Sequence, residues 1–200
     1  KALILTAPST LEIREAPMPA VAQDGVVVRV RACGICGSDV HGMDGSSGRR
    51  IPPLIMGHEA SGEIVEVGAG VRGWEIGDRV TFDSTVWCGA CEFCRAGRVN
   101  LCRNRRVLGV SCADYRQDGA FAEFVAVPER ILYRLPPGLS FERAAFAEPV
   151  SIALHAAGRG AQTGTGTSAA VIGCGMIGLL VVQALRLHGF SRIVALDLDA

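Results

Sequence analysis

The chain has 200 residues, 49% of them apolar, and twenty basic side chains balance twenty acidic ones to a formal net charge of zero. That content excludes an intrinsically disordered chain and suits one domain or two small ones, while the neutral balance gives no electrostatic footprint for nucleic acid or an anionic membrane surface. No apolar run approaches the roughly 20 residues of a membrane span, and Lys1 to Arg14 lacks the basic, apolar and small-residue succession of a signal peptide, so a soluble cytoplasmic protein with a small, roughly neutral ligand is expected.

From Lys1 to about Pro137 the sequence reads as short β-branched strands broken by Gly, Pro and Asp turns, including Val26 to Val30, Ala60 to Val67, Arg79 to Phe82 and Ala122 to Val127. The turn chemistry at Gly68 to Gly70 and at Gly77-Asp78 sits at the spacing that joins antiparallel neighbours. An all-β, partly open barrel is predicted there.

Two clusters in this region carry metal chemistry. GICGSDVH contains Cys36, Ser38, Asp39 and His41, and GHE contains His58 and Glu59. A Cys and a His from separate segments, with a third ligand from elsewhere in the chain, leave one coordination position open, as a catalytic zinc requires. Cys36 or His58 alone is more often a core residue than a ligand; the joint pattern reverses that and points to a metal. The second cluster is Cys88, Cys91, Cys94 and Cys102, with two, two and seven residues between them. Four thiolates around one ion with no open position describe a structural zinc, which orders a loop too polar to pack by itself. Half of the eight cysteines fall in this loop, so metal ligation in a reducing compartment is expected rather than a secreted disulfide scaffold. Cys33, Cys112 and Cys174 have no partner at ligand spacing.

After Leu139 the texture changes. Ser140 to Ala161 has helical spacing of apolar residues, and within it Glu148 precedes Pro149. A carboxylate in so apolar a segment is costly unless paired, which makes Glu148 the candidate third ligand, although capping a helix would also account for it. A Gly/Thr-rich linker, Thr163 to Thr167, leads to a strand (Ala169 to Ile172), a glycine turn (Gly173 to Gly178), a helix to about His188 and a strand (Arg192 to Leu196). This order opens a parallel βαβ unit. The turn reads GCGMIG, with Gly173, Gly175, Met176, Ile177 and Gly178, and Asp197 follows nineteen residues after Gly178. The first glycine permits the tight turn, the second lets backbone approach a pyrophosphate, and the third allows close helix packing. Asp197 at the strand end can accept from both ribose hydroxyls and would repel a 2′-phosphate, which favours NAD over NADP; Asp199 is a competing assignment. One βαβ start cannot complete a doubly wound sheet, so well over roughly a hundred further residues are expected after Ala200.

With these motifs in place, the chain resembles the zinc-containing branch of the medium-chain dehydrogenase family along essentially its whole length, through GICGSDVH, GHE, the cysteine loop, DGAFAEFVAVP, AEPVSIALHA and GCGMIG. The resemblance implies an α/β plus β fold: a GroES-like, zinc-binding catalytic domain over residues 1–150, then the first part of a Rossmann NAD-binding domain over 151–200. It implies two zincs per chain, with Cys36, His58 and Glu148 on the catalytic one and Glu59 close enough to coordinate directly or exchange with water. Asp39 would orient His58, and Ser38 and His41 would relay a proton. Homodimers or homotetramers are usual in the family.

Glu148 in EPVSIALHA is most similar to the polyol dehydrogenases of sorbitol and galactitol-phosphate type, implying hydride transfer from a secondary alcohol to NAD. Threonine or simple alcohol dehydrogenation is the alternative within the family, and a non-catalytic zinc-binding fragment the alternative outside it. A zinc-free quinone reductase is disfavoured, having no need of these ligands. Gly37 departs from relatives that place an Arg there against the pyrophosphate.

Overall fold

The computed structural model describes residues 1–163 and 167–198. The chain divides into two compact units, Lys1–Phe146 and Ala147–Ala200.

The first unit is built on strands. They are β1 (Ala2–Ala7), β2 (Thr10–Arg14), β3 (Gly25–Gly34), β4 (Leu54–Ile55), β5 (Glu59–Val67), β6 (Arg79–Phe82), β7 (Thr85–Val86), β8 (Arg106–Val107), β9 (Val110–Ser111), β10 (Arg116–Gln117), β11 (Phe124–Pro128) and β12 (Leu132–Arg134). Its helices are the short α1 (Gly37–Gly42), α2 (Glu92–Arg95) and α3 (Phe141–Ala145). The main sheet is antiparallel, in the order β11-β3-β5-β6-β12. β3 and β5 form its spine, and their register shifts twice, between Val27 and Val28 and between Val30 and Ala32. Such bulges bend a strand and raise its twist, which curls the sheet toward a barrel. Val26, Val28, Ile64, Val80, Phe82, Val125 and Val127 fill the interior. β11 and β12 remain the two edges, so the barrel is partly open.

The strands expected at Val26 to Val30 and Ala60 to Val67 lie inside β3 and β5, and Arg79 to Phe82 coincides with β6. The expected Ala122 to Val127 starts at Phe124 instead. β1 pairs with β2 and β4 in a separate three-stranded sheet, an element the composition did not single out.

The helical pattern expected as one run from Ser140 to Ala161 is two helices. Ser140 caps α3 by accepting from the Arg143 amide at 3.3 Å, and α3 ends at Phe146. A new helix, α4 (Ala147–Thr163), begins at once. Pro149 explains the break: it lacks an N–H and fits only in a first helical turn, where that donor would have no helical acceptor. The rest of the second unit is β13 (Ser168–Ile172), α5 (Met176–Leu187) and β14 (Arg192–Leu196). β13 and β14 pair in parallel over five residues, and Ala157 of α4 packs with Val171, Ala184 and Leu185 in a small core. The linker expected over 163–167 lies largely outside the described residues, as does Asp199. No helix among the described residues is long and apolar enough to cross a membrane.

Candidate metal centres and nucleotide turn

The β3–β5 register creates the first centre. Cys33 pairs with Ala60 and Gly34 with Glu59, so the residues just beyond β3 and just before β5 emerge at the same sheet end. Cys36 leaves β3, His58 and Glu59 enter β5, and one ligand atom from each lies within 4.8 Å of the others. Two ligands bonded at about 2.0–2.3 Å in a tetrahedron stand about 3.3–3.8 Å apart, so this thiol, imidazole and carboxylate suit a single zinc after small side-chain adjustment. Gly34 makes room for the acid, since a Cβ there would lie 2.4 Å from Glu59 Oε2.

Asp39, 2% exposed, ties this centre together. Its Oδ2 accepts from the Cys36 amide at 3.2 Å, closing the first turn of α1, while Oδ1 lies 3.2 Å from Arg50 and 3.5 Å from His58 Nδ1. Burial pushes the Asp39 carboxyl up, but the hydrogen bond and charge of His58, the Cys36 amide and Arg50 outweigh it and hold it below the usual carboxylate range. Burial raises the Cys36 thiol. Ser38 and His41 are both exposed and three residues apart on α1, hence on one face of it. Glu148 stands half-buried in the first turn of α4, in the second unit.

The second centre lies in the loop between β7 and β8, which pair with each other and bring its two ends together. Cys88, Cys91, Cys94 and Cys102 place their sulfurs within 4.8 Å of one another. The Cys91 and Cys94 sulfurs are 3.6 Å apart, close to the edge of a zinc–thiolate tetrahedron. Local folding arranges them: Cys91 precedes α2, Cys94 lies in it, and Cys102 ends a single 3₁₀ turn. Backbone amides already point at sulfur, from Ala90 to Cys88 at 3.5 Å and from Cys88 to Cys102 at 3.3 Å. The Ala90 and Cys91 amides lower the Cys88 thiol to about 6, whereas desolvation leads in pushing Cys94 up to about 12. Arg98 and Arg103 stack on Phe93, and Arg103 pairs with Glu92 at 2.6 Å, so the loop's polar surface is cross-linked around the sulfurs.

In the second unit the glycine turn links β13 to α5. Gly173 has φ +92°, in the left-handed region. A Cβ on Gly178 would lie 1.8 Å from the Gly173 carbonyl oxygen, so the third glycine is sterically required. Gly175 precedes Met176 and Ile177, the first residues of α5, whose open amides face the turn. Asp197 follows β14 directly and accepts from the Cys174 amide, which puts its carboxylate at the glycine turn.

The alcohol dehydrogenase GroES-like domain family matches residues 22–137. A sorbitol dehydrogenase from Bacillus subtilis is 37% identical over 202 residues, covering 100% of this chain and 56% of its own. An L-threonine 3-dehydrogenase from Symbiobacterium thermophilum is 37% identical over 190 residues, covering 94% and 52%. Among solved structures, a protein from Sinorhizobium meliloti described as a zinc-binding dehydrogenase, bound to NADP, superposes with a TM-score of 0.86 at 39% identity over 97% of this chain and 55% of that one. The chain thus spans about half the length of the curated relatives it matches.

Proposed function

Because the chain belongs to the alcohol dehydrogenase GroES-like domain family, we propose that it serves a zinc-dependent oxidoreductase that moves hydride from a secondary alcohol of the sugar-alcohol class to NAD. The observation that carries this reading is the convergence of Cys36, His58 and Glu59 at one sheet end, with Ser38 on the adjoining helix. In this reading residues 1–150 are the catalytic domain and 151–200 the beginning of the nucleotide domain.

By the family resemblance Cys36, His58 and Glu148 would hold the catalytic zinc, with Glu59 coordinating or exchanging with water, and the four-cysteine loop would hold a structural one. When bound at the first centre, zinc supplies a Lewis acid that lowers the pKa of a substrate hydroxyl toward neutrality. Asp39, whose Oδ1 stands 3.5 Å from His58 Nδ1, is placed to favour the tautomer that leaves Nε2 as the donor atom. Ser38 takes the hydroxyl proton and His41 passes it to solvent, a route that the shared face of α1 allows. Gly173, Gly175 and Gly178, with the amides of Met176 and Ile177, receive the pyrophosphate, and Asp197 takes the ribose hydroxyls.

The sorbitol and threonine enzymes match this chain at the same 37% identity, so Glu148 in EPVSIALHA, and not overall identity, favours a polyol. A reducing, cytoplasmic setting goes with the same reading, because cysteines can serve as zinc ligands only while they are not oxidised to disulfides. Homodimers or homotetramers go with the same reading and are checked by light scattering.

The test is NADH formation by the full-length protein with NAD and a panel of polyols, polyol phosphates, threonine and simple alcohols, beside a zinc-stripped control. Zinc-dependent turnover of a polyol is expected. Preference for threonine would move the substrate class, and zinc binding without turnover of any alcohol would overturn the enzymatic reading.

A further inference from the structure

Arg50 is a long cationic side chain that is only 5% exposed, in a molecule whose other arginines lie largely at the surface. Burying a guanidinium is costly unless charge and hydrogen bonds compensate it. Here three independent features hold it in place. Its backbone is pinned to β9: Arg50 bridges Ser111, the Ile51 amide donates to the Ser111 carbonyl at 3.1 Å, and the Ser111 amide donates to the Arg49 carbonyl at 3.2 Å. Its stem lies in a notch at the end of α1, where a Cβ on Gly42 would come within 2.8 Å of Arg50 Cγ. Its head donates through Nη2 to Asp39 Oδ1 at 3.2 Å, with Ser38 Oγ at 3.5 Å, and through Nη1 to the Arg49 carbonyl at 3.1 Å.

The partner it meets is the carboxylate that also joins the Cys36 amide to His58. A divalent ion facing the Cys36 thiolate and the buried Glu59 and Asp39 carboxylates would leave surplus negative charge at the site. A fixed cation at Asp39 removes that surplus without taking up a coordination position. It also prevents the Asp39 carboxylate from swinging toward the metal, because one oxygen is engaged by Arg50 and the other by the Cys36 amide.

We propose that Arg50 is a positioning residue for the Cys36/His58/Glu59 centre: from its buried seat beside α1 it balances the charge of Asp39 and locks that carboxylate in the orientation that serves His58 and Cys36. The proposal rests on the metal-site reading above. It acts through Asp39 and the imidazole; Arg50 itself touches neither metal nor substrate in this role.

The test measures zinc affinity by chelator competition in the full-length protein, resolving the first centre from the four-cysteine loop, and records the d–d absorption after cobalt exchange into the first centre. Arg50→Met and Arg50→Gln are expected to weaken zinc at the first centre by about 10–100-fold, the usual cost of losing a partner of a metal ligand, and to shift the cobalt bands. The four-cysteine zinc stays as tight as in the parent, which reports that the variants fold. Arg50→Lys, which restores charge but not the planar fork, regains part of the affinity.

Unchanged zinc affinity and cobalt bands in the two neutral variants overturn the proposal. So does an Arg50→Lys variant as weak as Arg50→Met, which would mean that packing and not charge is what matters. If Arg50→Met fails to keep the four-cysteine zinc, the Gln and Lys pair decides by the same criteria. Cys36→Ser runs in parallel. Loss of the first zinc there with none in the neutral Arg50 variants refutes only the role of Arg50, whereas retention of both zincs in Cys36→Ser overturns the metal-site reading itself.

Discussion

At the scale of single residues, the chemistry concentrates on Asp39. Its carboxylate accepts from an amide and a guanidinium and faces an imidazole at 3.5 Å while 2% exposed, so neither removing its charge nor protonating it is neutral. Asp39→Asn keeps the shape but leaves Arg50 buried without its counter-charge, which costs on the order of 3 kcal/mol of stability. The pH dependence has a definite sign. Because the folded carboxyl is held below its ordinary value, its contribution is fully present above the unfolded pKa of about 4 and is lost as pH falls through the lower folded value. Urea midpoints of parent and Asp39→Asn should therefore differ by a constant amount from about pH 7 to pH 5 and converge below about pH 4; a gap that persists undiminished into acid would show that the carboxylate charge is not the source. The four loop cysteines were legible as a group in the sequence through their spacing, and Cys36 with His58 through their joint pattern, whereas a metal role for Glu59 came only from the family resemblance. Arg50 was not, since nothing in Arg49-Arg50 says which of two adjacent arginines turns inward; only the bridge to Ser111 and the notch at Gly42 decide it.

At the scale of elements, local chemistry explains most boundaries, and its conflicts explain the misses. The run from Ser140 to Ala161 is continuous as an apolar pattern, yet Pro149 forces a fresh start, and pattern alone does not weigh one missing N–H against the rest of the run. Removing the Ser140 cap by Ser140→Ala should lower stability by about 1 kcal/mol, read as a shift in the denaturant midpoint at unchanged slope. The two-residue strands β7 and β8 are too short to read as periodicity, and they become visible only because the loop between them closes on four sulfurs. That loop has no buried apolar side chain of its own in α2, so under the metal-site reading its order would depend on the ion. Cys94→Ser should lower zinc content by one equivalent and speed tryptic cleavage at the exposed Arg95, Arg98 and Arg103, monitored by mass spectrometry of the fragments. Unchanged cleavage after zinc loss would mean that the stacking of Arg98 and Arg103 on Phe93 is enough to hold it.

At the scale of the molecule, the two units divide the work by the physics of their backbones. Antiparallel strands return the chain repeatedly to one sheet end, which lets residues as distant in sequence as Cys36 and His58 meet there. A parallel pair requires a crossover helix, and the turn into that helix exposes a row of open amides suited to an anion. Each unit has its own apolar core, so damage to one site should leave the other working. Gly178→Val tests this directly. Its side chain would collide with the Gly173 carbonyl, whose φ of +92° leaves the turn little freedom to move aside. Fluorescence titration with NADH should then show binding weakened by at least about tenfold, more than 1.4 kcal/mol, while both zinc equivalents stay at parent levels by elemental analysis. Loss of zinc along with cofactor affinity would show that the units do not fold independently; unchanged cofactor affinity would remove the glycine turn from the pyrophosphate site and leave the metal centres as the whole of the functional assignment.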